Sequence, residues 1–148
     1  MITVRPWLTG RRIGHRDAMR MSVRLNLPRE VDSVPAVRRL LRCALTILRV
    51  DRQAGTDLEI ALTEACANVV KHASGAESFE VRLDVGQDRC SIDVVDDGTG
   101  FDPVADTAVS PMSERGRGLF LIRALGENVR MQSSPRTGSL IHFEKSFA

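Results

Sequence analysis

Residues 56–73, from Thr56 to Ala73, read TDLEIALTEACANVVKHA, and the rest of the chain is arranged around them. Leu58, Leu62, Ala65, Cys66, Val69 and Ala73 recur at steps of three and four, which lays an apolar stripe along one side of a helix. Glu64, Asn68 and His72 stand at i, i+4 and i+8 with Lys71 beside them, so they share another face. Thr56 with Glu59 fits a capping box, which puts the helix start at Thr56. On its own such a face is compatible with plain solvation. The neighbouring segments decide what it is for.

Upstream, Met21, Val23, Leu25 and Leu27 alternate with Ser22, Arg24 and Asn26, a half-buried strand ended by Pro28. Ser33 to Val50 reads as a helix, with Ser33 or Asp32 as its cap and Pro35 in the first turn. Its buried stripe is Val37, Leu40, Leu41, Ala44, Leu45 and Leu48. Arg38, Arg39, Arg42 and Arg49 lie off that stripe, either solvated or forming a docking face for an acidic partner. Asp51 to Gly55 is a short connector.

Downstream, Ser74 and Gly75 end the central helix. Phe79 to Val85 and Arg89 to Val95 alternate about a Gly86-Gln87-Asp88 turn, which makes a hairpin. Asp96-Asp97-Gly98-Thr99-Gly100 follows, then a loop over 101–115. Gly116-Arg117-Gly118 opens a helix with Leu119, Ile122 and Leu125 buried and Gly126 as its stop. Val129–Ser133 and Leu140–Phe147 are strands about the Pro135–Gly138 turn. Helices set among hairpins, without βαβ alternation, predict an α+β fold. It is a two-layer α/β sandwich, with a mixed, mostly antiparallel sheet and three helices on one face.

At 148 residues the length suits one domain, here residues 21–148. Residues 1–20 have no sustained period and are interrupted by Pro6, Gly10 and Gly14, so a flexible N-terminal arm is expected there. Net charge of +2 is too small to argue for nucleic acid, and no direct nucleic-acid binding is expected. Cys43, Cys66 and Cys90 lack metal-ligand spacing and read as buried reduced thiols, which fits a cytoplasmic protein. The basic N-terminus has no apolar core of a signal peptide, and no apolar run approaches the roughly 18 residues of a membrane span.

Three segments carry chemistry. A helix N-terminus offers amides and a positive dipole end to phosphate, and glycines at 116 and 118 let phosphate come close. Arg115 and Arg117 add charge-assisted hydrogen bonds. The oxygen of Asn68 suits magnesium, a hard cation that also binds substrate phosphates. Asp96 at a strand end, followed by Gly98 and Gly100, can accept from a purine amino group. Glu64 can orient or deprotonate a hydroxyl.

Glu64-x-x-x-Asn68, Asp96-x-Gly98-x-Gly100 and Gly116-x-Gly118, in that order, resemble the three ATP-site boxes of the GHKL ATPase superfamily, which includes gyrase and the histidine kinases. The run TEACANVVKHA resembles its bacterial anti-sigma-factor serine kinase branch, the RsbW/SpoIIAB type. The likeness spans about residues 21–147. It implies the GHKL (Bergerat) fold and an ATP-dependent protein serine/threonine kinase. Asn68 would ligate Mg2+ between the phosphates, and Glu64 would be the catalytic base. Asp96 would bind the adenine amino group, with Gly98 and Gly100 shaping its pocket and Ser139 nearby. Residues 101–115 would form an ATP lid, with Arg115 reaching the γ-phosphate. Gly116 and Gly118 would cradle phosphates, and His72 would lie near them. Arg117 departs from the pattern, which often has an apolar residue there.

The same resemblance implies the partners: a small anti-anti-sigma (STAS) protein phosphorylated on serine, a sigma factor held by partner switching, and a homodimer. Two rivals stand beside it. One is an ATP-binding anti-sigma or adaptor module without kinase activity, which would have no need of Glu64. The other is a histidine-kinase catalytic fragment, but none of His15, His72 and His142 precedes a long helical hairpin.

Overall fold

The computed structural model describes residues 2–4, 19–73, 75–98, 114–134 and 138–147, the backbone alone at 2–4 and 114–115. Among the described residues there are six strands: β1 (Ile2–Val4), β2 (Met21–Pro28), β3 (Ser78–Val85), β4 (Arg89–Asp96), β5 (Glu127–Ser134) and β6 (Gly138–Ser146). The helices among them are α1 (Ser33–Ile47), α2 (Arg52–His72) and α3 (Glu114–Leu125). The strands form one sheet in the order β1-β2-β3-β4-β6-β5.

The expected α+β sandwich is there, with one correction. The sheet is not mixed, because every pairing is antiparallel. The α1–α2 pair brings the chain back to the end of the sheet it left. Pro28 at the end of β2 therefore faces Ser78 at the start of β3. Hairpins make the β3/β4 and β5/β6 pairs, and β6 then closes antiparallel on β4.

Strand alternation sorts the two faces. Val23, Leu25, Phe79, Val81, Leu83, Val85, Ile92, Val94, Ile141 and Phe143 are buried under the helices. The other face is polar, with the Arg24–Glu80 ion pair and a hydrogen bond between His142 and Asp93. The helices answer with Val37, Leu41 and Leu45 from α1, Leu58, Leu62 and Val69 from α2, and Leu119 and Ile122 from α3. Leu40, Leu48 and Leu125, also expected in the core, are only half-buried.

Several local expectations are corrected. α2 starts at Arg52, four residues before Thr56, because Asp51 caps it and accepts from the amides of Gln53 (2.9 Å) and Ala54 (3.3 Å). Thr56 instead donates to the Arg52 carbonyl inside the helix, and Glu59 accepts from Arg42 of α1 at 2.8 and 3.1 Å. At α1, Asp32 makes no side-chain cap and the Ser33 hydroxyl donates to the Pro28 carbonyl at 2.7 Å. That helix stops at Ile47, followed by Arg49 in the left-handed region (φ 54°). α3 starts at Glu114, two residues before Gly116. Ile2–Val4 of the expected arm is an edge strand, pairing with Val23–Leu25 of β2. Residues 1 and 5–18 lie outside the described residues.

Cys43 is exposed, not buried as its sequence setting indicated, while Cys66 and Cys90 are buried. Burial raises the Cys66 thiol well above its ordinary pKa and pushes Cys90 up to about 12. One thiol per chain, Cys43, should therefore react with a maleimide or disulfide reagent near pH 8, and all three after denaturation. Rapid native labelling of a second thiol would contradict this burial. Among the described residues no helix is long and apolar enough to cross a membrane.

Candidate nucleotide site

Antiparallel packing gathers one end of several elements together. α2 packs on β4, β6 and α3, and residue 96 at the end of β4 is in register with Ser139 at the start of β6. The apolar side of α2 is fully sunk, with Leu62, Ala65 and Cys66 at 0% exposure, so the opposite side has a fixed direction. Arg29, just after β2, ties down the C-terminal end of α2: its guanidinium donates to the Val70 carbonyl in the last turn (3.2 Å) and to the Ala76 carbonyl beyond the helix (2.7 Å). A cation at the last turn also complements the helix dipole.

Glu64, Asn68 and His72 are half-buried and share one cleft of about 140 Å³. Ala67 and Lys71 of α2 and Arg117 and Gly118 of α3 complete its lining. Glu64, Asn68, His72 and Gly118, singled out from the sequence, are thus brought to one cleft. α3 approaches so closely that a methyl group built on Gly118 would lie 2.9 Å from the Glu64 carboxylate Oε2. Glycine is needed here for close approach, not for an unusual backbone angle. The blocked atom is the tip of a flexible side chain, which can swing away. Gly118→Ala should therefore fold with a melting temperature close to the parent's while displacing the Glu64 carboxylate. Thermal melts and crystallography of the variant check both halves; a Glu64 side chain left in place would contradict the contact.

A second cluster surrounds Asp96, which is 4% exposed. Its Oδ1 accepts from the Gly98 amide at 2.9 Å and its Oδ2 from the Ser139 hydroxyl. Ionised, each carboxylate oxygen keeps a further lone pair to accept from an amino group. Gly138 stands at φ +85°, and a methyl group on it would lie 1.9 Å from the Asp96 carbonyl oxygen. No other residue fits there without moving the backbone that carries Asp96. Asp97 is exposed and outside this network. Gly116 is buried in the first turn of α3. Gly100, the 101–113 part of the expected lid and the side chain of Arg115 lie outside the described residues.

Among the described residues no group of three His, Cys, Asp or Glu side chains could hold a metal. Asn68 offers the cleft one amide oxygen, a donor type that suits a hard cation keeping most of its waters.

From the sequence Arg117 was a candidate phosphate donor and Lys71 only a neighbour on the polar face; both line the cleft. Sequence reading passed over a buried pair at the opposite end of α2. Lys145 of β6 lies 3.0 Å from Asp57 and donates to the Leu125 carbonyl at the end of α3 at 3.0 Å. The signal was available: Asp57 sits beside Leu58 and Ala61 on the apolar side of the helix, and Lys145 shares the inward parity of Ile141 and Phe143.

The chain matches the model of the histidine kinase-like ATPase domain over residues 27–144. It is 32% identical over 125 residues to the serine-protein kinase RsbW of Bacillus velezensis, covering 76% of this chain and 78% of that protein. Against the serine-protein kinase RsbW of Bacillus subtilis it is 29% identical over 124 residues, covering 75% and 78%. Its fold is shared with the crystal structure of the RsbU and RsbW domains of a Mycobacterium tuberculosis protein. There the TM-score is 0.66 at 17% identity, over 86% of this chain and 33% of that one.

Proposed function

The chain belongs to the histidine kinase-like ATPase domain family, in the branch of RsbW-type anti-sigma-factor serine kinases, and from this we propose that it transfers the γ-phosphoryl group of ATP to a protein serine. The observation that carries the proposal is the Glu64 carboxylate. It lies in the cleft one helical turn from Asn68, against the bare backbone of Gly118.

Each described group has a role in this reading. Asp96, with Ser139 and Gly98 behind it, accepts from the adenine amino group. Gly116 and Gly118 let phosphates approach the first turn of α3, and His72 lies beside them. Asn68 supplies one oxygen ligand to the magnesium that travels with the nucleotide. When bound, that ion neutralises phosphate charge and orients the chain of phosphates. Residues 101–115 close over the nucleotide, with Arg115 at the γ-phosphate. Glu64 orients the substrate serine and accepts its proton as the hydroxyl attacks. The serine oxygen forms a bond to phosphorus, the bond from phosphorus to the bridging oxygen breaks, and ADP leaves with that electron pair. Little covalent chemistry is asked of the protein, so position and charge supply most of the rate.

The substrate in this reading is a STAS-type anti-anti-sigma protein. A sigma factor is held when that protein is phosphorylated and absent from the complex, and the kinase acts as a cytoplasmic homodimer. The test is transfer of labelled phosphate from ATP to a cognate STAS protein co-purified with the chain. A labelled partner whose phosphate survives acid and is lost in base supports a serine kinase. Bound ATP with no labelled partner would mean an adaptor module instead. Label stable to base and lost in acid would mean phosphohistidine.

A further inference from the structure

We propose that Arg117 is a phosphate-contacting residue of this site: its guanidinium engages the γ-phosphoryl group and makes the cleft distinguish ATP from ADP. The inference rests on the nucleotide-site reading above.

Arg117 is exposed in the first turn of α3 and lines the cleft with Glu64, Asn68, Lys71 and His72. Its backbone position is fixed by the next residue, since Gly118 lies against the Glu64 carboxylate. Arg117 and Glu64 nonetheless form no ion pair with each other, nor does Arg117 pair with any other described residue. Elsewhere in the chain, arginines near carboxylates do pair: Arg20 with Asp84 at 2.5 Å, Arg42 with Glu59 at 2.8 Å and Arg89 with Glu144 at 3.4 Å. Among the described residues Arg117 is thus a cation that shares a cleft with a carboxylate and has its donors left over.

Among the described residues lining the cleft, Arg117 is a cation whose donors no other described group takes up, and a polyanion can use them. Guanidinium presents a planar fork of donors that matches two phosphoryl oxygens at once. An ammonium or an apolar side chain at position 117 would lack that match. Because the oxygens that distinguish ATP from ADP are those of the terminal phosphate, a contact there separates the two nucleotides. During transfer the same oxygens carry the charge of the phosphoryl group as it leaves ADP and bonds to the serine oxygen, while the serine proton passes to Glu64. A fixed donor there stabilises that charge.

The experiment compares the parent chain with Arg117→Met and Arg117→Lys. It measures ATP and ADP affinities by calorimetry and the single-turnover rate of phosphate transfer to the STAS partner. Exposure of Arg117 lets both variants fold, and a thermal melt verifies it. We expect Arg117→Met to bind ADP like the parent but to lose the preference for ATP. Its transfer rate should fall by about 10²–10³-fold, the usual cost of removing one donor to developing charge. Added guanidinium ion should restore part of that rate, and Arg117→Lys should fall between. An unchanged ATP-to-ADP affinity ratio together with a parental transfer rate overturns the proposal and leaves the kinase reading intact. A raised KM for the partner protein with unchanged ATP affinity overturns it too, by moving Arg117 to an acidic group on that partner. If the parent binds nucleotide but labels no partner, the kinase reading fails, and the affinity ratio alone decides Arg117. A parent that binds neither nucleotide sinks both.

Discussion

Glu64→Gln should lower single-turnover phosphate transfer by about 10²–10⁴-fold, the range over which a positioned general base contributes. Nucleotide binding should survive. The replacement keeps the shape of the side chain, so the fit against Gly118 is retained and the 0% exposed residues on the other side of α2 are untouched. What it removes is a negative charge in the cleft shared with Asn68, Lys71 and Arg117. Like charges repel, so loss of that carboxylate beside phosphates leaves ATP affinity equal or higher. The two effects run in opposite directions, which separates this outcome from simple damage to the site. Damage lowers both. Quench-flow transfer and equilibrium ATP binding on one preparation give the answer. Parental transfer by Glu64→Gln would remove the base from this mechanism.

The sequence exposed those features that depend on period and on short-range spacing. Glu64, Asn68 and His72 could be placed on one face because helical geometry fixes i, i+4 and i+8 whatever surrounds it. Asp96 and Ser139 could each be singled out, but their hydrogen bond joins residues 43 apart in sequence. Register between β4 and β6 makes that contact, and register is not visible in either strand alone. The start of α2 went wrong for a local reason: two capping candidates lie five residues apart, and Asp51, with two amides in reach, prevails over Thr56. The mixed sheet went wrong for a global one, since strand direction follows from where α1 and α2 return the chain. Lys71 was underrated because a charged residue on a helix reads as solvated until a second helix is known to face it. Cys43 was placed inside by its apolar neighbours, whereas the buried residues of α1 are Ser33, Val37, Leu41, Ala44 and Leu45.

Lys145→Met should destabilise the fold by about 3 kcal/mol, near the lower end of the cost of breaking a buried ion pair. The lower end applies because the Lys145 side chain keeps 22% of its exposure, so some solvent already reaches the pair. Met preserves the volume of the stem and deletes the charge. Asp57, whose side chain is only 12% exposed, is then left with a single donor, the Gln53 amide at 3.0 Å. The Leu125 carbonyl at the end of α3 loses its partner as well. For a chain of this length the melting temperature should drop by roughly 10 °C. Adding Asp57→Leu should return most of it, because removing both charges also removes the uncompensated one. A single variant as stable as the parent, or a double variant less stable than the single, would mean that the pair is not what ties these elements together. The consequence extends to the nucleotide site. α2 and α3 touch at two ends, Asp57 and Leu125 through Lys145 at one, Glu64 and Gly118 at the other. With the first tie cut, α3 is free to shift along α2, and the Glu64–Gly118 contact is where a shift registers. Transfer rate in the folded Lys145→Met fraction should therefore fall while its ADP affinity holds, and the double variant should recover stability before it recovers rate.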